Sequence, residues 1–356
     1  MSLNLPQRPA QREPLSNPAP ADEAAELRRR LEATVEGEVR FDARARALYA
    51  TDASPYRIAP VGVVVPRDEA DVVAAVRAAS ELGVPVLPRG GGTSLAGQTV
   101  AAALVIDMSK YLTELLELNV EERWVRVQPG LVRDQLNAAL APHGLQFTPD
   151  VATTDRANVG GMVANNSAGT RSIKYGKSVD QVIELRVLLM DGTELHLGPL
   201  RGKELDEKLA AEGREGDIYR AVHRMVSEHA DEIAARYPKV MRRVGGYNLD
   251  ELTDAGGEGQ RPFNLAKVVS GSEGTLALIL ELKLALHPVP KRRLVSMLHF
   301  DSLTKAFEAV QFINRHGPSA VEIIDADLIM LGRENPAIAP LMTWVVGDPA
   351  AVLLVE

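Results

Sequence analysis

Short β-branched runs alternate with stretches of helical spacing over most of this chain. Residues 61–65 form one such run, closed by Pro66. Asp68 then caps a predicted helix in which Val72, Val73, Val76 and Ala79 share one face. Strand-like segments follow at 84–87, 103–108, 115–119 and 124–127, and after the Gln128-Pro129-Gly130 turn a helix is predicted over 132–140. Ahead of this unit, residues 21–34 read as a helix with an acidic start and Arg28, Arg29 and Arg30 in its second half. Residues 1–20, rich in Pro, Gln, Ser and Asn, read as a disordered tail. The first α+β unit thus spans 21–150.

A second unit runs over 151–288. Strands at 181–190 and 194–197 flank Asp191-Gly192, a two-residue hairpin signal. A long helix is predicted over 218–236 with Ile218, Val222, Met225, Val226 and Ile233 on its buried side, and His229 as a core residue on the same face. A strand pair around Val268 and 279–286 closes this unit. After Pro288 a βαβ rhythm starts, with a strand at 294–300, a helix at 302–314 and a strand at 320–324. The chain stops at Glu356 inside the apolar segment 351–355, which reads as an unpaired strand, so residues 289–356 are expected to be an incomplete domain of a longer protein.

Superimposed on this pattern is a glycine cluster. Between the segment 84–87 and the strand at 103–108 stands Pro88-Arg89-Gly90-Gly91-Gly92-Thr93-Ser94, followed by Gly97 and Gln98. Glycines let the backbone turn with positive φ and approach a ligand closely, and successive amides in such a turn form a concave donor surface for phosphate oxygens. No lysine follows within the loop, which excludes a P-loop, and the loop leads into a strand rather than a helix, which excludes a Rossmann fingerprint. A surface turn and a phosphate cradle both remain open from the loop alone.

The 356 residues, 46% of them apolar, suffice for two domains or somewhat more. A formal net charge of −8 argues against a general nucleic-acid binder. No apolar run is long enough for a membrane span. The chain has no cysteine, so disulfides, thiolate catalysis and cysteine-ligated metal or iron–sulfur sites are excluded within it, and a reducing, cytoplasmic compartment is the default expectation. The seven histidines show no HxH or HxxxH spacing, and no metal site is predicted.

Two further segments decide the reading of the loop. Pro149-Asp150 begins a stretch with Thr153, Thr154, Asn158, Gly160-Gly161, Ala164 and Ser167; Gly271-Ser272-Glu273-Gly274-Thr275 is a tight turn feeding a strand through Leu278 and Ile279. In this order the three segments resemble the FAD-binding domain of the vanillyl-alcohol-oxidase and p-cresol-methylhydroxylase family, in its branch of FAD-linked D-2-hydroxyacid dehydrogenases and glycolate oxidase flavin subunits. The resemblance covers about 52–288. It implies an α+β, two-subdomain PCMH-type FAD-binding fold (21–150 and 151–288), followed by the truncated start of an α+β substrate cap at 289–356.

The resemblance also assigns roles. Pro88 to Ser94, with Gly97 and Gln98, would wrap the FAD pyrophosphate. The segment from Pro149 to Ser167 would lie along the ribityl chain and isoalloxazine, and Glu273, Gly274, Thr275, Leu278 and Ile279 would carry the adenine side. Covalent members of the family bear a flavin-linking histidine in the first loop; Thr93 stands there here, so FAD is expected to be held non-covalently. The implied activity is oxidation of a small D-2-hydroxy acid by hydride transfer to the flavin. An oxygen-using oxidase of alcohols or sugars and an electron-relay module without its own substrate site are the alternatives.

A substrate carboxylate calls for Arg or Lys. Arg171, Lys174, Arg242 and Arg243 are the candidates. Relatives often show Arg, three residues and Thr-Gly-Tyr-Asp-Leu at the second place, where this chain has Met241, Gly245 and Asn248 at the arginine, threonine and aspartate positions. The histidines that supply a base or hold a metal in the branch belong to the cap, and a cysteine-rich iron–sulfur domain follows it in longer relatives. Both are expected beyond residue 356, together with the electron acceptor, and the chain alone is expected to be poorly active or inactive.

Overall fold

The computed structural model describes residues 21–257 and 259–356. The tail expected at 1–20 lies outside the described residues. The chain divides into two compact units, 21–112 with 190–192, and 113–189 with 193–356.

The first unit contains α1 (Ala21–Thr34), β1 (Glu38–Arg40), α2 (Ala43–Leu48), β2 (Gly62–Val65), α3 (Glu69–Glu81), β3 (Val86–Arg89) and β4 (Leu104–Asp107). Its sheet has the order β1-β2-β4-β3, with β2, β4 and β3 parallel and β1 antiparallel at one edge. The continuous runs Val63–Val65 and Leu104–Ile106 are fully buried, as parallel strands covered on both faces require. Asp68 caps α3 as the sequence predicts, its side chain accepting from the Asp71 amide at 3.0 Å. Asp71 is itself buried, and its carboxylate accepts three backbone amides, from Glu36, Gly37 and Arg67, at 2.8–2.9 Å. This satisfies a charge that would otherwise be costly to bury.

The second unit begins with β5 (Leu115–Asn119), β6 (Trp124–Val127), α4 (Arg133–Leu140), β7 (Leu145–Gln146), α5 (Val159–Ala164), α6 (Ser172–Tyr175) and α7 (Ser178–Gln181). It continues with β8 (Val182–Leu188), β9 (Glu194–Leu197), α8 (Lys203–Ala210), α9 (Gly213–Glu228), α10 (Ala230–Arg236), α11 (Ala266–Val269) and β10 (Leu278–Ala285). The antiparallel sheet runs β5-β6-β10-β8-β9. The β8–β9 hairpin turns at Gly192 with φ +83°, as the Asp-Gly pair predicts. Alternation sorts the strands: Val125, Val127, Leu185, Val187, Leu282 and Leu284 enter one core with the helices. On the polar side Glu281 lies between Arg126 at 2.7 Å and Arg186 at 3.1 Å.

Four local expectations differ from the observed fold. The helix predicted over 218–236 breaks at His229 (φ −114°, ψ 19°), and His229 is exposed rather than in the core. Ser227 donates back to the His223 carbonyl at 2.8 Å, a bond that bends helices, just before the break. Met225, placed on the buried side by periodicity, is 47% exposed, and Tyr219 is fully buried instead. The segment around Val268 is helical (α11), not a strand, because the Asn264 side chain accepts from the Ala266 amide at 3.0 Å and starts a turn.

The chain then forms β11 (His287–Pro288), β12 (Ser296–Phe300), α12 (Leu303–Asn314), β13 (Val321–Asp325), α13 (Ala326–Glu334) and β14 (Ala351–Val355). The apolar segment 351–355 is not an unpaired strand. It lies between β12 and β13, antiparallel to both over five residues each. The β12–α12–β13 unit therefore leaves a one-strand gap that β14 fills, and Ala351, Leu353 and Val355 pack against the α12 residues Ala306, Ala309 and Ile313.

Candidate functional site

In the first unit the glycine loop begins where β3, an edge strand, runs out. Arg89, the last residue of β3, does not extend into open space. Its guanidinium donates to the carbonyls of Tyr49 (3.0 Å), Thr51 (2.8 Å) and Thr99 (2.9 Å) and stacks over the Tyr49 ring at 5.2 Å. Burial holds its pKa below the ordinary guanidinium value. The loop is further fastened by the Ala53 amide on the Gly92 carbonyl at 3.0 Å and by Thr99 Oγ1 on Asp52 at 2.8 Å. Gly92 (φ +65°) and Gly97 (φ +82°) both need glycine, since a Cβ would meet the Arg89 Nη2 and the Tyr56 ring, each at 2.6 Å. Gln98 accepts from the Ala96 amide at 3.3 Å, and Pro88 lies in β3 beside Arg89.

Between these fastenings, the amides of Gly90, Gly91, Gly92, Thr93 and Ser94 meet no protein acceptor among the described residues. Ser94 Oγ is buried without a partner. These amides stand in a half-buried to exposed loop, open to water or to an anion, and successive amides in such a turn form a donor surface suited to phosphate oxygens. A pyrophosphate fits them.

In the second unit the other two motif segments come together. The amides of Gly271 and Glu273 donate to the carbonyls of Val163 (3.0 Å) and Ala164 (2.9 Å) at the end of α5. Glu273 and Gly274 turn with φ +53° and +78°, and Thr275 pairs with the Tyr247 hydroxyl at 2.9 Å. Leu278 and Ile279 are buried in β10, so their side chains serve the core. Asn158 stands at the N-cap position of α5 without a capping bond: its side-chain amide donates to the Gly130 carbonyl and its Oδ1 is buried and unpartnered. A Cβ on Gly160 would meet Pro129 Cβ at 2.5 Å, whereas Gly161 faces open space. Pro149 is buried and its carbonyl accepts from Arg133 at 3.2 Å. Thr153 accepts the amides of Arg156 and Ala157 on its carbonyl, and the Thr154 hydroxyl is bonded to Asp134 at 2.8 Å. Ser167 accepts from the Asn165 side chain at 3.0 Å.

Asp150 organises the turn at 169–171. Its carboxylate accepts from Thr170 Oγ1 (2.7 Å), the Arg171 amide (3.2 Å) and Arg171 Nη1 (3.0 Å). Of the four cationic candidates, Arg171 spends its other edge on Glu356, and Arg243 is turned to Asn248 (3.1 Å) and Asp250 (2.5 Å). Arg242 uses Nε and Nη2 on Ser172 Oγ (2.9 Å) and the Gly169 carbonyl (3.0 Å) and is otherwise exposed. Lys174 is exposed, with its ammonium 5.6 Å from the Tyr175 ring centroid. Arg242 and Lys174 thus bracket segment 169–174.

The structure explains one departure in the Gly245–Leu249 stretch. Asn248 is fully buried and donates to the carbonyls of Lys267 (3.1 Å) and Ser270 (2.6 Å) while accepting from Arg243; a carboxylate could not donate there. Sequence reasoning also missed Asn166, buried with φ +49°, whose Oδ1 accepts from the Val179 amide at 3.0 Å. An asparagine in the left-handed region is the one signal available for it, and only the backbone reveals that.

His287 is a further residue beside this segment. Its Nε2 lies 2.8 Å from Gln181 Oε1, and its ring meets Tyr175 edge-on at 5.2 Å. Burial, with Arg123 adding repulsion, pushes its pKa below the ordinary histidine value. The fold therefore favours the neutral ring, the unfolded chain binds the proton more readily, and stability is lost as pH falls below about 6.5. Urea unfolding at pH 7.5 and 5.5 should show this loss, and His287→Gln should reduce it.

The FAD binding domain family profile matches residues 60–198, which hold the open-amide loop and α5, and the C-terminal domain of FAD linked oxidases matches residues 289–356. The chain belongs to the FAD-linked oxidases. Among relatives of this FAD-linked oxidase, the D-2-hydroxyglutarate dehydrogenase of Pseudomonas putida is 38% identical over 319 residues, covering 88% of this chain and 31% of that protein. That of Escherichia coli is 36% identical over 299 residues (82% and 28%), and the E. coli glycolate oxidase subunit GlcD is 29% identical over 276 residues (76% and 44%). The chain spans 31% and 28% of the length of the first two relatives. A solved alkyldihydroxyacetonephosphate synthase superimposes with a TM-score of 0.66 at 19% identity, over 93% of this chain and 55% of that one, and so shares its fold.

FAD is the cofactor of the family, and the unmet donors of this FAD-linked oxidase fit it. Gly90 to Ser94 present open backbone donors in the first unit, and Asn158 presents a buried, unpartnered acceptor in the second. Among the described residues no helix is long and apolar enough to cross a membrane, and no cluster of His, Asp and Glu could hold a metal.

Proposed function

We propose that this chain is the flavin-bearing part of a dehydrogenase that oxidises a small D-2-hydroxy acid, with the cytoplasm as its location. The bracketing of segment 169–174 by two exposed cations, Arg242 and Lys174, carries the reading, because a 2-hydroxy acid must be gripped by its carboxylate. The relatives support it, being dehydrogenases of D-2-hydroxyglutarate and a glycolate oxidase subunit.

The chain's own residues divide the work. Pro88 to Ser94, Gly97 and Gln98 hold the pyrophosphate, with Arg89 acting through the loop it fastens. Pro149 to Ser167 line the flavin, and Glu273 to Ile279 support that segment through its backbone. Arg242, on its free edge, and Lys174 orient the acid through its carboxylate. Bound FAD supplies the hydride acceptor. Thr93 lacks the imidazole nitrogen of the linking histidine, so FAD is held non-covalently. In the full-length form, residues 289–356 open a substrate cap, and electrons pass to an acceptor such as an iron–sulfur domain of the same polypeptide.

Anaerobic mixing of a full-length, FAD-loaded form with D-lactate, glycolate and D-2-hydroxyglutarate tests the reading. Bleaching of the flavin band by at least one acid is expected. No bleaching by any of them, with rapid reduction by an alcohol or only by a protein donor, would replace it.

A further inference from the structure

Arg171 makes a two-point fork on Glu356. Its Nε lies 3.0 Å from Oε1 and its Nη2 2.6 Å from Oε2, the geometry with which a guanidinium recognises any carboxylate. The contact joins the last residue after β14 to the segment that Arg242 and Lys174 bracket. It is well shielded, with the side chains of Arg171 and Glu356 26% and 11% exposed. Two more cations, Arg293 and Lys174, are close enough to act on the same charge. Arg171 above all, with these two adding, holds the Glu356 carboxyl below the usual carboxylate range. Neither Arg293 nor Lys174 has a carboxylate of its own within ion-pair distance among the described residues. Arg171 thus grips this carboxylate directly, and Arg293 and Lys174 act on it at longer range.

The opposite edge of Arg171 is held independently. Nη1 stays on Asp150 at 3.0 Å, and Asp150 is fixed by Thr170 and by the Arg171 amide. Removing Glu356 would thus leave the guanidinium in place with a vacant fork, flanked by two positive charges. Three cations around one carboxylate leave a net positive charge there, which favours an anionic ligand.

We propose that Arg171, Lys174 and Arg293 form a carboxylate subsite, and that the Glu356 side chain fills it until a carboxylate-bearing ligand displaces it. This deepens the hydroxy-acid reading and rests on it for the identity of the natural ligand. Glu356 is then a specificity-determining residue: its own charge sets how strongly a ligand carboxylate must compete.

Calorimetry of glutarate binding to the FAD-loaded full chain tests this. Glutarate bears no hydroxyl and cannot be oxidised, so the test does not depend on turnover. Glu356→Gln removes the competing charge and is expected to tighten glutarate binding by about three- to tenfold. Adding Lys174→Ala to that variant should reverse most of the gain. In a second measurement, the melting temperature of Glu356→Ala should rise as glutarate is added, and that of Glu356→Ala with Arg171→Leu should not. Equal glutarate affinity in Glu356→Gln and the parent chain, or a Glu356→Ala melting temperature that glutarate leaves unchanged, would overturn the proposal. Glutarate binding without flavin bleaching by any hydroxy acid would instead retain the subsite and reject the hydroxy-acid reading.

Discussion

Arg89→Ala is expected to weaken FAD binding by about a hundredfold while leaving the sheet of its unit folded. Three carbonyls lead to this expectation. Tyr49, Thr51 and Thr99 all accept from this one guanidinium, and they fix both ends of the open-amide loop. Each carbonyl left without a donor costs about 1–3 kcal/mol where water cannot replace it. Part of that cost is recovered by solvation at this half-buried site, so a net penalty of roughly 3 kcal/mol, about two decades in affinity, is expected. Lysine should rescue little, because a single ammonium cannot span acceptors arranged around a planar fork. Flavin fluorescence quenching measures the affinity, and far-ultraviolet circular dichroism checks the fold. An affinity within threefold of the parent chain would show that the loop does not depend on Arg89.

Gly169→Ala is expected to be among the most damaging single methyls in the second unit. A Cβ there would fall 1.9 Å from Asp150 Oδ1 and 2.6 Å from both the amide nitrogen and the carbonyl carbon of Asp150. The carboxylate could swing away, but the backbone cannot, and moving it would break the Thr170 and Arg171 bonds to Asp150. Overpacking of this kind costs about 3 kcal/mol or more. Urea denaturation should show the loss as a lower midpoint. Gly161→Ala is the control within the same segment, since no atom lies within 4 Å of its added Cβ and its stability should be unchanged or slightly higher. Equal effects of the two substitutions would contradict this packing.

Much of the fold was legible because its elements are locally consistent. Predicted strands at 115–119, 124–127 and 194–197 coincide with the observed ones, and Asp68 and Asp191-Gly192 cap and turn as their side chains and dihedral freedom dictate. The failures come from tertiary context. Residues 351–355 carry no signal of their partners, because the residues they pair with lie 26 to 59 positions away in sequence. The break at His229 depends on a side-chain bond to the backbone that apolar periodicity does not register.

The site divides in the same way. The open amides of the glycine loop were legible because backbone donors need only glycine and space to stand clear of protein acceptors. What its arginine does was not, since Arg89 in sequence looks like a phosphate ligand and in the structure holds carbonyls. Among the cationic candidates, composition could not separate Arg242 and Lys174 from Arg171 and Arg243, whose carboxylate partners come from Asp150, Glu356 and Asp250. Asn248 looked like a departure from a pattern and proves to be the residue that its two carbonyl acceptors require.

The central claim, that open amides at Gly90 to Ser94 cradle a non-covalent FAD, is tested most directly by titrating FAD into the purified flavin-free chain. Such a cradle predicts saturable uptake of one flavin, a bound absorbance band near about 450 nm, and full release of the flavin into the supernatant on acid precipitation. A chain that stays colourless at saturating FAD, or one whose acid pellet keeps the colour, would contradict it.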